Sequence, residues 1–263
     1  MQKRVQIALA VLLVMLAGVI GWKALRVREP VYQGKPLSHW LESQARNGYL
    51  NDQTEGVIRQ IGTNGIPTYL EMMAIKESPL KLRLIAHLPQ QWQDRFHPYR
   101  VENNRLLGAY GLSVLGKEAK SSVPALTDLL NDKNPDVRYS AVYALQCLGP
   151  VAREALPSLI NCLKDPEFNV QSEAIMCLGN IHQEADRVIP ILVKLLNNTQ
   201  KPDPSRSQTF AALWALGQFG AQARPAVPVL LGFLNDSDES IRVEATKALK
   251  AIDPGAAAKA GVK

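Results

Sequence analysis

The sequence predicts an all-α protein: an α-solenoid of two-helix units preceded by a single N-terminal hydrophobic helix. Three observations predict it. Marker prolines Pro124, Pro157, Pro190 and Pro228 recur at intervals of 33, 33 and 38 residues, each opening a similar apolar stretch. The turn pairs Asn131-Asp132, Lys164-Asp165, Asn197-Asn198 and Asn235-Asp236 keep the same intervals. Gly116, Gly149, Gly179 and Gly220 stand where the other helix of each unit should end in a left-handed residue. A fixed period of this size arises when a unit cannot bury its apolar face alone and stacks on its neighbours.

The elements follow in order. Residues 1–28 hold a nearly unbroken apolar run with Lys3 and Arg4 before it and Lys23, Arg26 and Arg28 after it. Extended to 5–25, with Lys23 snorkelling and Trp22 at the interface, the run reaches the roughly 20 residues of a membrane span. Val19, Ile20, Trp22 and Lys23 crowd the place where a signal peptidase needs small residues, so the leading reading is an uncleaved anchor, with a cleaved signal and a buried soluble helix as the alternatives. The anchor places the protein in a membrane as a single-pass chain, with its repeats on the periplasmic side. Residues 29–36, with Pro30, Gly34 and Pro36, read as an extended linker. The solenoid is expected over 37–252, opening with a short helix capped by Ser38 and turning Trp40 and Leu41 inward. A degenerate first unit follows: Gly62 ends one helix, Pro67 opens the next, and Tyr69, Leu70 and Met73 supply its apolar stripe.

The period breaks over 78–104. Leu80, Leu82, Leu84, Ile85 and Leu88 form an apolar helix that Pro89 stops. A polar and aromatic loop over 91–100 comes next, carrying Trp92, Arg95, Phe96 and Tyr99. Its aromatics either pack back onto the first repeat or, with the arginines, make partner contact from a loop held by a rigid scaffold. From residue 104 the units are regular, with Leu106, Leu107, Tyr110, Leu112 and Leu115 as the buried set of the first. Pro135, Pro166 and Pro204 suit the first helical position, where a missing N–H costs nothing. Residues 253–263 lose the pattern and are expected to fray.

These repeats resemble HEAT repeats, in particular the bacterial kind described as phycobilisome-lyase-like. The resemblance rests on Asp132, Val137, Arg138, Ala141, Ala144 and Leu145 in one helix and Val123, Pro124 and Leu126 in the other. Asp236, Ile241, Arg242, Ala245, Ala248 and Leu249 repeat it in the last unit. It spans about residues 54–252 and, with the N-terminal segment, is similar to a group of anchored bacterial HEAT proteins. It implies that Asp and Arg tie adjacent turns together, loosely at Gln171 and Asn198, where those residue types are missing. It also implies that the helix beginning at each Val-Pro lines the concave side.

The net charge of +6 excludes less than it suggests. Residues 1–35 carry +5 of it, which leaves +1 for the repeats and no basic block for phosphate. No nucleic-acid partner is therefore expected. Cys147, Cys162 and Cys177 lack metal or redox spacing and read as buried free thiols, with Cys147 and Cys177 at equivalent places. His39, His87, His97 and His182 fall in four separate segments, and no nucleotide loop or nucleophile elbow is present. No catalytic residue, metal site or cofactor is expected. What remains is a non-enzymatic scaffold, a monomeric solenoid that binds another protein. The alternatives are a chromophore-attachment or other enzyme-accessory role, which the lyase-like resemblance implies, and a nucleic-acid-binding solenoid. Aligned Val-Pro helices place Asp128, Asn161 and Lys194 in one outward row and Asn131, Lys164 and Asn197 in a second. These are the candidate partner contacts, with Trp92, Arg95, Phe96 and Tyr99 of the loop.

Overall fold

The computed structural model describes residues 29–42, 51–75, 79–89, 99–197 and 206–262. It begins with a hairpin, β1 (Val31–Tyr32) paired antiparallel with β2 (Lys35–Pro36), not the extended linker expected there. Gln33 and Gly34 both take positive φ at its turn, the two-residue geometry that matches strand twist. Helix α1 (Leu37–Glu42) buries Leu37 and Leu41 completely. Its cap is not Ser38: the Glu29 carboxylate accepts from both the Ser38 N–H and the Ser38 hydroxyl. Trp40 packs edge-on to Tyr32 and stays partly exposed.

The degenerate first unit consists of α2 (Asp52–Ile61) and α3 (Ile66–Ala74), with Tyr69 and Met73 fully buried as expected and Leu70 only partly so. Gly108 and Gly111 let the next helix lie directly on Tyr69, since a Cβ at Gly111 would stand 2.4 Å from its ring. After α4 (Pro79–Ala86), whose Leu84 is 70% exposed, the regular stack runs from α5 (Tyr99–Leu115). It continues through α6 (Val123–Leu129), α7 (Pro135–Leu148), α8 (Leu156–Cys162), α9 (Phe168–Ile181) and α10 (Ala185–Asn197). It closes with α11 (Ser207–Gln218), α12 (Val227–Phe233) and α13 (Glu239–Ile252). The tail expected to fray holds one more short helix, α14 (Pro254–Lys259), capped by Asp253 and packed on α13 through Ala257.

Gly116, Gly149 and Gly220 adopt positive φ at helix ends, followed by 3₁₀ turns into α6, α8 and α12. Gly179 does not. It lies inside α9, which runs on to a left-handed His182, so Cys147 and Cys177 are not equivalent. Cys162 and Cys177 are buried free thiols, whereas Cys147 is part-exposed. Pro135 occupies the first turn of α7, but Pro166 precedes α9 by two residues and Pro190 sits within α10.

The helices form two layers. In one, α5, α7, α9, α11 and α13 lie against one another along their lengths. Buried alanines make that possible: Ala141, Ala144, Ala174, Ala215, Ala245 and Ala248 leave room for close backbones. In the other layer α6, α8, α10 and α12 touch sparsely. A stack close-packed on one side and splayed on the other bends toward the close-packed side. The concave face therefore belongs to α5, α7, α9, α11 and α13. The expectation that the Val-Pro helices line it is corrected.

The expected anchor, residues 1–28 with its span at 5–25, lies outside the described residues. Among the described residues no helix is long and apolar enough to cross a membrane. The longest described helix, α5, has 17 residues and carries Arg100, Glu102 and Arg105, short of the roughly 20 apolar residues a span needs. The single-pass membrane localisation, periplasmic side included, is corrected accordingly.

Candidate functional site on the concave face

Helical spacing decides what the concave face presents. On α7 the face carries Tyr139, Tyr143 and Cys147, four residues apart and all part-exposed. Counting back from each helix end, Tyr143 is matched by Tyr110 on α5, Met176 on α9 and Trp214 on α11. Tyr139 is matched by Leu106, Ser172, Phe210 and Val243. None of these nine residues is buried, and Val243 is 45% exposed. Leu106 and Tyr110, expected in the core, are thus part of the surface; Leu107, Leu112 and Leu115 form the core as expected. The result is a strip of mostly aromatic and apolar side chains across the closely packed helices, interrupted by Ser172 on α9. Tyr110 and Tyr143 meet edge to face at 5.7 Å between ring centres, a favoured aromatic geometry.

One carboxylate belongs to this strip. Glu173 on α9 is part-buried and interacts with the Tyr139 hydroxyl of α7. Burial pushes the Glu173 carboxyl up, outweighing the Tyr139 hydroxyl that pulls it down. The Tyr139 phenol is pushed up to about 12, by burial first and then by the Glu173 charge. Cys147 is also raised, chiefly by burial, so its thiol is held protonated and is no nucleophile.

The shift of Glu173 has a measurable consequence. A carboxyl whose folded pKa lies above its unfolded value contributes stability below that value, about 4.3 for Glu, and loses it as pH rises through the folded pKa. Asp165, Asp236 and Asp238 are held below the usual range and act in the opposite sense, losing stability in acid. Glu173→Gln removes only the first contribution. Its melting temperature relative to wild type should climb by a few degrees between pH 4 and pH 7. A difference independent of pH across that window, followed by circular dichroism, would contradict this account of Glu173.

The residues singled out from sequence divide into two groups. Asp128, Asn131, Asn161, Lys164, Lys194 and Asn197 are all exposed on the splayed outer layer. Lys194 and Asn197 border a groove of about 540 Å³, floored by Ile189, Pro190, Val193 and Pro225, between α10 and the turn leading to α12. Trp92, Arg95 and Phe96 lie outside the described residues, and Tyr99 is the first residue of α5. The concave strip itself went unnoticed in the sequence. Its signal was present: aromatics recur at the period of the repeat in the alanine-rich helices, at positions that skip the buried set.

The turns between layers are tied as a ladder. Arg138 donates Nε and Nη2 to the Asp165 carboxylate of the next unit, both at 2.7 Å. Its Nη1 reaches the carbonyls of Asp132 and Lys133 in its own turn. Arg242 repeats the carbonyl contacts at Asp236 and Ser237, and Arg105 holds the Ile75 carbonyl at 3.0 Å. Residues 123–208 match the family model for HEAT repeats, and residues 210–236 match the model for PBS lyase HEAT-like repeats. Over these residues the solenoid is similar to HEAT repeats. At Gln171, where looseness was implied, the HEAT ladder is carried by amides: Gln171 donates to the Asp165 carbonyl and accepts from Gln208. Asn198 lies outside the described residues.

No curated protein sequence matches the chain. Among solved structures, the designed armadillo repeat protein YIII(Dq)4CqI is similar at 16% identity and a TM-score of 0.55, covering 86% of this chain and 97% of its own. An engineered protein is similar at 19% identity and a TM-score of 0.54, covering 82% and 91%. The complex of CpcE and CpcF of phycocyanin lyase from Nostoc sp. PCC7120 reaches 25% identity but a TM-score of 0.46, covering 69% and 70%. The two with the higher TM-scores share the α-solenoid fold.

Proposed function

We propose that this HEAT solenoid is a non-enzymatic scaffold that holds an extended segment of a partner protein along its concave face. The observation that carries the reading is the part-exposed aromatic strip running from Tyr110 through Tyr143 and Met176 to Trp214. Large rigid side chains give contact area at little entropic cost, which is why tryptophan and tyrosine dominate binding hot spots. Packed helices lie about 8–10 Å apart, so three steps span close to 30 Å. An extended strand rises about 3.3 Å per residue, and the strip therefore accommodates a segment of roughly nine residues.

The test distinguishes the two faces. A photo-crosslinking amino acid at position 214 should capture a discrete partner from cells producing the full chain. The same group at 128 or 161, on the outer layer, should not. Capture from the outer positions with none from 214 would move the binding surface to the row of Asp128, Asn161 and Lys194 and refute the concave reading.

A further inference from the structure

Within the strip, the HEAT solenoid contains an internal comparison that identifies what the bound segment must carry. Glu173 on α9 and Glu244 on α13 occupy the same place, nine residues before the residue that ends each helix. Glu244 is 5% exposed and meets the Lys247 ammonium at 3.4 Å, one turn further along α13. The residue at that place on α9 is Met176. Among the described residues no lysine or arginine pairs with Glu173. One carboxylate of the pair thus has its cation from within the helix, and the other has none.

The surroundings of Glu173 complete the argument. Tyr139 of α7 stands against its carboxylate, and one turn further along α7 Tyr143 meets Tyr110 of α5 edge to face. Aromatic faces attract a cation by their quadrupole, and the attraction grows where water is partly excluded. A part-buried carboxylate that has a hydroxyl but no cation beside it is costly in its charged form, and that cost is recovered when a cation reaches it. We propose that Glu173, with Tyr139 against it, receives one cationic side chain, arginine or lysine, of the segment bound along the concave face. This rests on the scaffold reading above and narrows its partner to a segment with a positive charge flanked by apolar residues. Met176 and Trp214 supply the apolar contact on one side of the carboxylate and Leu106 on the other.

The experiment uses the full chain and nine-residue peptides selected from a random displayed library on the wild-type protein. The selected peptides should share an arginine or lysine at one position. Replacing it by citrulline or acetyl-lysine, which keep the shape and remove the charge, should weaken binding about tenfold or more, measured by fluorescence polarisation. On Glu173→Gln that replacement should change affinity less than about twofold. Met176→Lys, which recreates the Glu244–Lys247 arrangement within α9, should likewise abolish the preference for charge. Each variant is checked by its melting curve, so misfolding is read separately from loss of binding. Selected peptides without a cation, or an equal charge effect in wild type and Glu173→Gln, would overturn the proposal. Trp214→Ala separates the two levels: if it abolishes binding while Glu173→Gln leaves the charge effect intact, only the cation inference fails. If neither variant alters binding of any selected peptide, the concave-face scaffold fails with it.

Discussion

Arg138→Ala should destabilise the solenoid by about 3–5 kcal/mol, the cost of leaving one member of a buried ion pair alone, and lower its Tm by on the order of 10 °C. The magnitude follows from geometry. The Arg138 and Asp165 side chains are only 11% and 7% exposed, and their contact is two parallel bonds of 2.7 Å. A bidentate, water-excluded pair is held far more firmly than an exposed one such as Lys120 with Glu154, at 3.9 Å and about two-thirds exposed on both sides. Arg138 also donates to the Asp132 and Lys133 carbonyls in the turn that follows α6. Asp165→Ala should cost less than Arg138→Ala, because those carbonyl bonds survive it. Burial raises the Asp165 carboxyl, but the Arg138 hydrogen bonds, the Glu167 N–H and the guanidinium charge together hold it below its usual range. Its stabilisation is present above the unfolded value near about 3.9 and is lost as pH falls through the folded one. The difference between wild type and Asp165→Ala should therefore narrow as the pH falls below the unfolded value. Urea unfolding of both single variants and the double variant at pH 7 and pH 3 measures this, and a cycle showing no coupling at pH 7 would refute it.

Because each unit of a solenoid touches only its neighbours, the damage should be local before it is global. Hydrogen exchange in Arg138→Ala should accelerate first in α7, α8 and α9, while α12 and α13 keep their protection. The next step of the stack shows how the ladder tolerates a change of chemistry. Gln171 keeps the Asp165 carbonyl but has no charge to offer, and Ser172 meets Ser207 at 3.0 Å across the same interface. At the following step the guanidinium returns from a different place: Arg206, in a left-handed conformation before α11, pairs with Asp236. The α9–α11 step is thus held by neutral hydrogen bonds and by packing.

Period, turn chemistry and the ladder were legible in the sequence because each is local. Asp132, Asp165 and Asp236 each accept the N–H two residues on, a short-range bond that needs those residue types at that spacing. Which layer faces inward was not local. Both helix types are amphipathic, and curvature depends on how closely neighbouring units approach, a property of pairs of helices far apart in the chain. The clue lay in small residues: alanines at 141, 144, 174, 215, 245 and 248 are confined to one helix type. For the same reason the sequence does not separate Tyr110, which is part-exposed, from the buried set, or tell which layer carries Asp128, Asn161 and Lys194. The hairpin at 31–36 was missed because strands of two residues leave no alternation to detect.

Gly179→Val should be as damaging as any single change in the stack, and for the same reason that Gly179 was misread as a helix end. It lies inside the last turn of α9, where a helical glycine costs up to about 1 kcal/mol relative to alanine, so its presence points to a compensating contact. That contact is the backbone of α11: a Cβ on Gly179 would stand 2.7 Å from the Ala215 Cα and 2.8 Å from its Cβ. Neither atom can rotate away, so α9 and α11 must separate along an interface that, among the described residues, holds no ion pair. Overpacking of this kind costs about 1–3 kcal/mol or more. Gly179→Ala should lose somewhat less, since the gain in helix propensity offsets part of it. Gly217 is the control, because a Cβ there would meet the Ala248 Cα at 3.3 Å, a distance that a shift of a few tenths of an ångström relieves. Gly217→Ala should be close to neutral in Tm while Gly179→Ala is clearly destabilised; equal effects would mean that the α9–α11 spacing is not set by Gly179. The same displacement would carry Trp214 away from Met176 and Tyr143, since the Trp214 ring also lies 3.0 Å from the missing Cβ. Affinity for the bound segment should then fall in Gly179→Ala even at temperatures where the variant is fully folded, a loss that Gly217→Ala should not share.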